Sequence, residues 1–155
     1  NLKSTVEVVR RIPGVSGSAN TPAIQVEWEG KTLRVLDPIS LLACKLNLAA
    51  TLPQTGRHDV PHLKILVSCV RAFLTALLQQ VEIGALPAKD WLKIANQVLK
   101  LTTQIRAQRI ATKHQINWAE ILPLKAIAQS RDEKIRRFHE QQLQQGFKKS
   151  KGVSI

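Results

Sequence analysis

Methionine is missing from all 155 residues, position 1 included, and only two cysteines and six aromatic side chains (three Trp, three Phe) are present. A chain that opens at Asn1 without methionine reads as a fragment whose N-terminal part is missing. Cys44 and Cys69 sit in the apolar helical patterns "LLACKL" and "ILVSCV", with neither a CxxC partner nor the Cys/His spacing of a zinc site. Two buried thiols in a reducing compartment are therefore expected. Aromatics this sparse, and not interleaved with basic residues, exclude a platform on which the bases of a single strand stack. No apolar run approaches the roughly 20 residues that span a bilayer, and no secretory signal opens the chain. A cytoplasmic location with no membrane partner follows as the expectation.

Acidic residues are scarce too. Eleven Asp or Glu stand against 23 Lys or Arg, a formal net charge of +12. From Val60 to Ala119 only Glu82 and Asp90 are acidic, against eight Lys or Arg. Such an excess favours polyanionic partners, nucleic acid or nucleotide phosphates; otherwise it is a solvated basic surface. The remaining composition is that of an ordinary globular protein, long enough for one domain that buries roughly 68–70% of its unfolded surface.

What is present divides at Asp37. Before it the pattern has period two. "STVEVVRRI", Ser4 to Ile12, is β-branched and closed by Pro13-Gly14, so it reads as a strand. "AIQVEW" and "KTLRVL" alternate around Glu29-Gly30, which predicts a hairpin over Ala23 to Leu36 with Ile24, Val26, Trp28, Leu33 and Val35 on its inward face. After Asp37 the period becomes helical. Asp37 is the expected N-cap, Pro38 the first helical residue, and Ile39, Leu42 and Leu46 the apolar stripe. A second helix is expected from near Asp59 on Leu63, Leu66, Val67, Val70, Phe73, Leu74, Leu77, Leu78 and Val81, ending at Gly84. A third is expected over about Asp90 to Gln108 on the apolar stripe Trp91, Ile94, Ala95, Val98, Leu101 and Ile105, a fourth from near Asn117, and a long polar one in "SRDEKIRRFHEQQLQQ". The fold class is thus α+β: a small N-terminal antiparallel β-piece over 1–36, a helical bundle over 37–145, and a flexible basic tail over 146–155. A two- or three-stranded β-piece is marginal alone, so it reads as the end of a larger sheet.

The stretch "GSANTPAIQVEWEG" has the look of a nucleotidyltransferase metal motif, with Glu27 and Glu29 on one strand face after Gly17-Ser18. It lacks room for the helix that such a motif needs before its acids, and Glu29 falls on a turn. The two glutamates read as the solvent face of a hairpin. Glu7 differs, being an acid amid β-branched residues, either solvent-facing or presented towards a metal.

Further on, "DPISLLACKLNLAATLPQTGRHDVPHLKIL" carries Lys45 in a Leu-Leu-x-x-Lys pattern, then Arg57 and Asp59, then an apolar helix. In that order it resembles the post-catalytic region of AbiEii-type nucleotidyltransferase-like proteins, over about Val6 to Leu77. The resemblance implies that residues 1–36 are the terminal strands of a nucleotidyltransferase sheet and that the helices form a lid over the nucleotide. It implies Glu7 as a third metal-site acid for Mg²⁺, the first two ligands being on the absent segment. Lys45 would touch the nucleoside triphosphate or steady the site, and Arg57 with Asp59 would form an ion-paired element beside the pocket. The implied activity is Mg²⁺-dependent nucleotidyl transfer to an RNA or protein acceptor, as the toxin half of a toxin–antitoxin pair with a cognate antitoxin as partner. This chain alone, with one metal acid, is expected to be inactive. The rival expectation is a non-enzymatic basic helical module that binds nucleic acid or a partner protein. Lys45 held against Asp59, with Glu7 on the far face, would favour that rival.

Overall fold

The structure, a computed structural model, describes residues 23–140, with the side chain of Ala23 outside that description. It is an α+β chain in which a two-stranded antiparallel sheet precedes a helical bundle. β1 (Ala23–Trp28) and β2 (Lys31–Leu36) pair with Ile24 opposite Val35, Val26 opposite Leu33 and Trp28 opposite Lys31. The connecting turn has Glu29 at φ 48° and Gly30 at φ 74°. Both angles are left-handed, the two-residue turn whose twist matches the flanking strands. Glycine takes this conformation freely, whereas Glu29 adopts it against its own preference. The inward face predicted for the hairpin is not buried: Ile24, Val26, Trp28, Leu33 and Val35 are all exposed. Alternation placed them together correctly, but among the described residues nothing covers them. The strand expected over Ser4 to Ile12 and the tail over 146–155 lie outside the described residues.

α1 (Pro38–Thr51) begins where the sequence indicated. The Asp37 carboxylate accepts the amides of Ile39 (2.9 Å) and Ser40 (3.1 Å), two of the donors that a helix start leaves without partners. Ile39, Leu42 and Leu46 are buried, as their spacing predicted. α2 (Asp59–Glu82) runs through the middle of the bundle and packs against α1 on one side and later elements on the other. Its Leu63, Leu66, Val67, Val70, Leu74 and Leu78 supply much of the core. Gly84, at φ 76°, turns the chain out of it while the amides of Ala85 and Leu86 bond back to the Gln80 carbonyl. By length and composition α2 is apolar enough to cross a membrane, a property hidden from a search for unbroken apolar runs by Lys64 and Arg71. Its most apolar face is spent on the bundle. Cys69, expected inside, lies on the outer face of α2, whereas Cys44 is buried and both are free thiols.

The single helix expected over Asp90 to Gln108 is two. α3 (Ala88–Thr102) and α4 (Ile105–His114) meet at a break where Gln104 is extended. The hydroxyls of Thr102 and Thr103 bond back to carbonyls of Val98 and Leu99, and the Gln108 amide caps the Thr102 carbonyl at 2.6 Å. Local hydroxyl bonds of this kind compete with helix continuation. The break swings Ile105, expected to be apolar core, out to solvent. Asn117 does act as a cap, but for one short 3-10 turn over Trp118–Ile121, after which Leu122 is extended and α5 (Leu124–Ala128) follows. α6 (Glu133–Phe138), capped by Asp132, buries Ile135 and Phe138. Trp91 locks three helices together. Its ring is fully buried, its Nε1–H donates to the Leu74 carbonyl of α2 at 2.9 Å, and it meets Phe138 of α6 edge to face at 6.0 Å.

Candidate functional site

α1 and α2 are joined by residues 52–58, and the functional residues singled out from sequence sit on either side of that loop. Lys45 is on α1, about a turn and a half before its end. Arg57 is in the loop just after Gly56, whose φ of 70° makes the reversal. Asp59 opens α2, where a carboxylate suits the positive end of the helix dipole. Pro61 is tolerated there because the first-turn amides have no helical partner.

The fold brings Lys45, Arg57 and Asp59 together. Lys45 Nζ donates to Asp59 Oδ1 at 2.9 Å, and Arg57 Nε donates to Asp59 Oδ2 at 2.6 Å. The Asp59 side chain is 3% exposed, that of Lys45 20% and that of Arg57 38%. A carboxylate is thus sunk beneath two cations that face outward. Burial by itself pushes the Asp59 carboxyl up, but the hydrogen bonds and charges of Lys45 and Arg57 outweigh it and hold the group below the usual carboxylate range. One turn position away, burial raises the Cys44 thiol, with the Lys45 charge opposing and the Asp59 charge adding to the shift. Burial and a raised pKa both favour packing over thiolate chemistry at Cys44.

The formal charge of the cluster is +1, from two cations and one anion. Among the described residues Lys45 donates only to Asp59, and Arg57 only through Nε. Two ammonium N–H groups and the terminal guanidinium nitrogens remain to bind an anion. The arrangement therefore offers a partly exposed, positively charged donor set pre-oriented by a buried carboxylate, which is the chemistry of phosphate binding.

Magnesium does not fit this cluster. Both Asp59 oxygens are taken by cations, and among the described residues no three His, Cys, Asp or Glu side chains gather to hold a metal. Glu7, the metal-site acid suggested by the resemblance, lies outside the described residues. Glu27 lies on the hairpin surface, accepting from the Thr32 hydroxyl at 2.6 Å, as the solvent-face reading requires. His58 and His62 have ring centroids 6.2 Å apart at the start of α2, and among the described residues they gather no third ligand into a metal site.

The sequence pairs Arg57 with Asp59 and names Lys45 against Asp59 as the arrangement that favours the rival basic module; what it does not give is that both pairs form at once, through different Asp59 oxygens. Spacing placed Arg57 beside Asp59, but the arrival of Lys45 from fourteen residues earlier depends on the α1–α2 packing angle. Comparison with protein-family models, curated proteins and solved structures gave no match to this chain.

Proposed function

We propose that this chain belongs to a nucleotidyltransferase-like protein in which the α1–α2 junction holds the triphosphate of a nucleoside triphosphate. The observation that carries this reading is the Lys45–Asp59–Arg57 cluster; the Lys45–Asp59 pair within it is also one half of the arrangement that favours the rival basic module, whose other half, the position of Glu7, lies outside the described residues. Three residues picked out by one sequence pattern converge on a single point and keep anion-binding donors turned outward. Lys45 leans on Asp59, so its part is to steady the cluster and lend charge, while Arg57, the more exposed cation, makes the closer approach to phosphate. Nothing in the cluster activates a hydroxyl or holds a metal, so it binds and orients and the transfer chemistry is assigned elsewhere. A location in a reducing compartment such as the cytoplasm accords with two free thiols.

Calorimetric titration of the full chain with each of the four Mg–NTPs, with inorganic triphosphate and with an unphosphorylated nucleoside tests the reading. Nucleotide and triphosphate are expected to bind and the nucleoside not to bind. Arg57→Gln is expected to weaken binding about tenfold, near 1.4 kcal/mol, while Arg57→Lys retains part of the affinity. Wild-type chain that ignores every triphosphate at millimolar concentration, or binds it equally well as Arg57→Gln, overturns the reading.

A further inference from the structure

The acid-free stretch of the bundle leaves a second set of cations with no use inside the fold. Residues 91–119 contain five Lys or Arg and no Asp or Glu. Lys93 and Lys100 of α3 and Arg106, Arg109 and Lys113 of α4 are all exposed. Among the described residues the ion pairs are those of Lys45 and Arg57 with Asp59 and of Arg137 with Glu133, so none of the five is neutralised. Acids that might have offset them serve local structure instead. Asp37 and Asp132 cap helices, Glu120 takes the Asn117 amide, and Glu82 receives the Ser130 hydroxyl and the Arg131 backbone amide.

On α4 the cations are arranged, not merely numerous. Arg106, Arg109 and Lys113 stand at i, i+3 and i+7, one stripe about 10 Å long at 1.5 Å rise per residue. The helix packs inward through Ala107, Ile110 and Ala111, which lie on a different flank. Arg106 is further oriented by its Nε–H bond to the Gln104 side chain at 2.9 Å, which leaves its terminal nitrogens outward.

We propose that this stripe of α4 is a docking surface for the phosphodiester backbone of a nucleic acid. A row of separate cations about 10 Å long matches a polymer that repeats one charge every 3.4 Å or so along each strand. A bilayer surface would ask for apolar side chains beside the charges, and apart from Ile105 the apolar residues of α4 face the core. Among the described residues no exposed aromatic ring lies on α3 or α4 for a base to stack on. Trp91 of α3 and Trp118, just after α4, are buried with their Nε1–H groups on the Leu74 and Ala107 carbonyls. Binding is therefore sequence-tolerant and carried by phosphate contacts, which position without specifying. The inference goes beyond the nucleotide reading and does not rest on it, because Arg106, Arg109 and Lys113 lie on α4 and not at the α1–α2 junction.

Fluorescence anisotropy of the full chain with labelled 20-mers tests it, using single and double strands of DNA and RNA in two unrelated sequences, between 50 and 200 mM salt. Wild type is expected to bind both sequences within about threefold and to lose affinity steeply with salt. Arg106→Gln/Arg109→Gln/Lys113→Gln is expected to bind at least tenfold more weakly at the lowest salt, with a log–log salt slope shallower by about two to three. Lys31→Gln/Arg34→Gln on the hairpin is expected to stay within about twofold, and circular dichroism checks that the triple variant keeps its helices. The DNA and RNA arms identify which nucleic acid docks. The proposal fails if the folded triple variant keeps wild-type affinity and slope. It fails equally if poly-glutamate competes as well as nucleic acid at equal charge, or if anionic vesicles bind the chain while nucleic acid does not.

Discussion

Trp28 and Trp91 are the same side chain in two regions that solve the same problem differently. Trp91 is 0% exposed, with its N–H and its ring edge both engaged. Trp28, at the end of β1 opposite Lys31, is 62% exposed. Each belongs to an amphipathic pattern: 3.6-fold along α3, alternating along β1. In the bundle the apolar face of α3 meets the apolar faces of α2 and α6, so pattern becomes burial. On the two-stranded hairpin the apolar residues of β1 and β2 meet one another across the ladder and nothing covers the face they share, among the described residues. Periodicity determines which side chains travel together; burial needs a second surface of matching shape, and the hairpin alone has none.

The largest expected effect tests the bundle half of that contrast. Trp91→Ala removes a fully enclosed ring at the junction of three helices and should cost about 3–5 kcal/mol, read as a lower urea midpoint with an unchanged slope. A cost under about 1 kcal/mol would mean that this junction contributes little to the core.

Next in size is Asp59→Asn, which leaves Lys45 and Arg57 around a neutral amide. Removing one partner of a buried ion pair costs about 3 kcal/mol or somewhat more, and outward exposure of the cations places the expectation at the low end. The pH dependence has a definite sign. The folded-state carboxyl is held below its ordinary value, so its contribution is fully present above about pH 4, near the unfolded value. It is lost as pH falls through the lowered folded value. Asp59→Asn should accordingly be less stable than wild type at pH 7 and lose less on acidification. Denaturation at pH 7, 5, 4 and 3 measures this, and parallel losses in the two proteins would sever the cluster from stability.

Much of this molecule was legible beforehand because local chemistry decides it. Asp37-Pro38 announces a helix start wherever the helix later packs, and Gly84 ends α2 by its backbone conformation alone. Glu29-Gly30 likewise sets the hairpin register. The misreadings share a cause of another kind. The α3–α4 break is made by two threonine hydroxyls and an extended Gln104, without the proline or glycine that usually marks a break, so periodicity ran straight through it. Cys69 sits in a largely apolar stretch yet points outward, because the buried line of α2 runs through Leu66, Val67 and Val70. At the candidate site the residue types and the Arg57–Asp59 proximity were readable, and the sharing of one carboxylate by two cations was not. That sharing is a property of how two helices cross.

The smallest expected effect is the sharpest test of the comparison. Trp28→Ala removes as many atoms as Trp91→Ala, but from a ring already in water, so the change in global stability should stay within about 0.5 kcal/mol. Whatever is lost belongs to cross-strand pairing, itself only a few tenths to 1 kcal/mol. Fluorescence gives an independent readout, since the three tryptophans divide into one exposed and two buried. Acrylamide should quench wild type in two phases, and Trp28→Ala should abolish the easily quenched one while Trp91 and Trp118 keep their shielded emission. A loss of several kcal/mol, or a mutant whose quenching matches wild type, would mean that Trp28 is shielded in solution. The hairpin would then have a covering surface after all, and the difference between the two regions would reduce to which partner each one has.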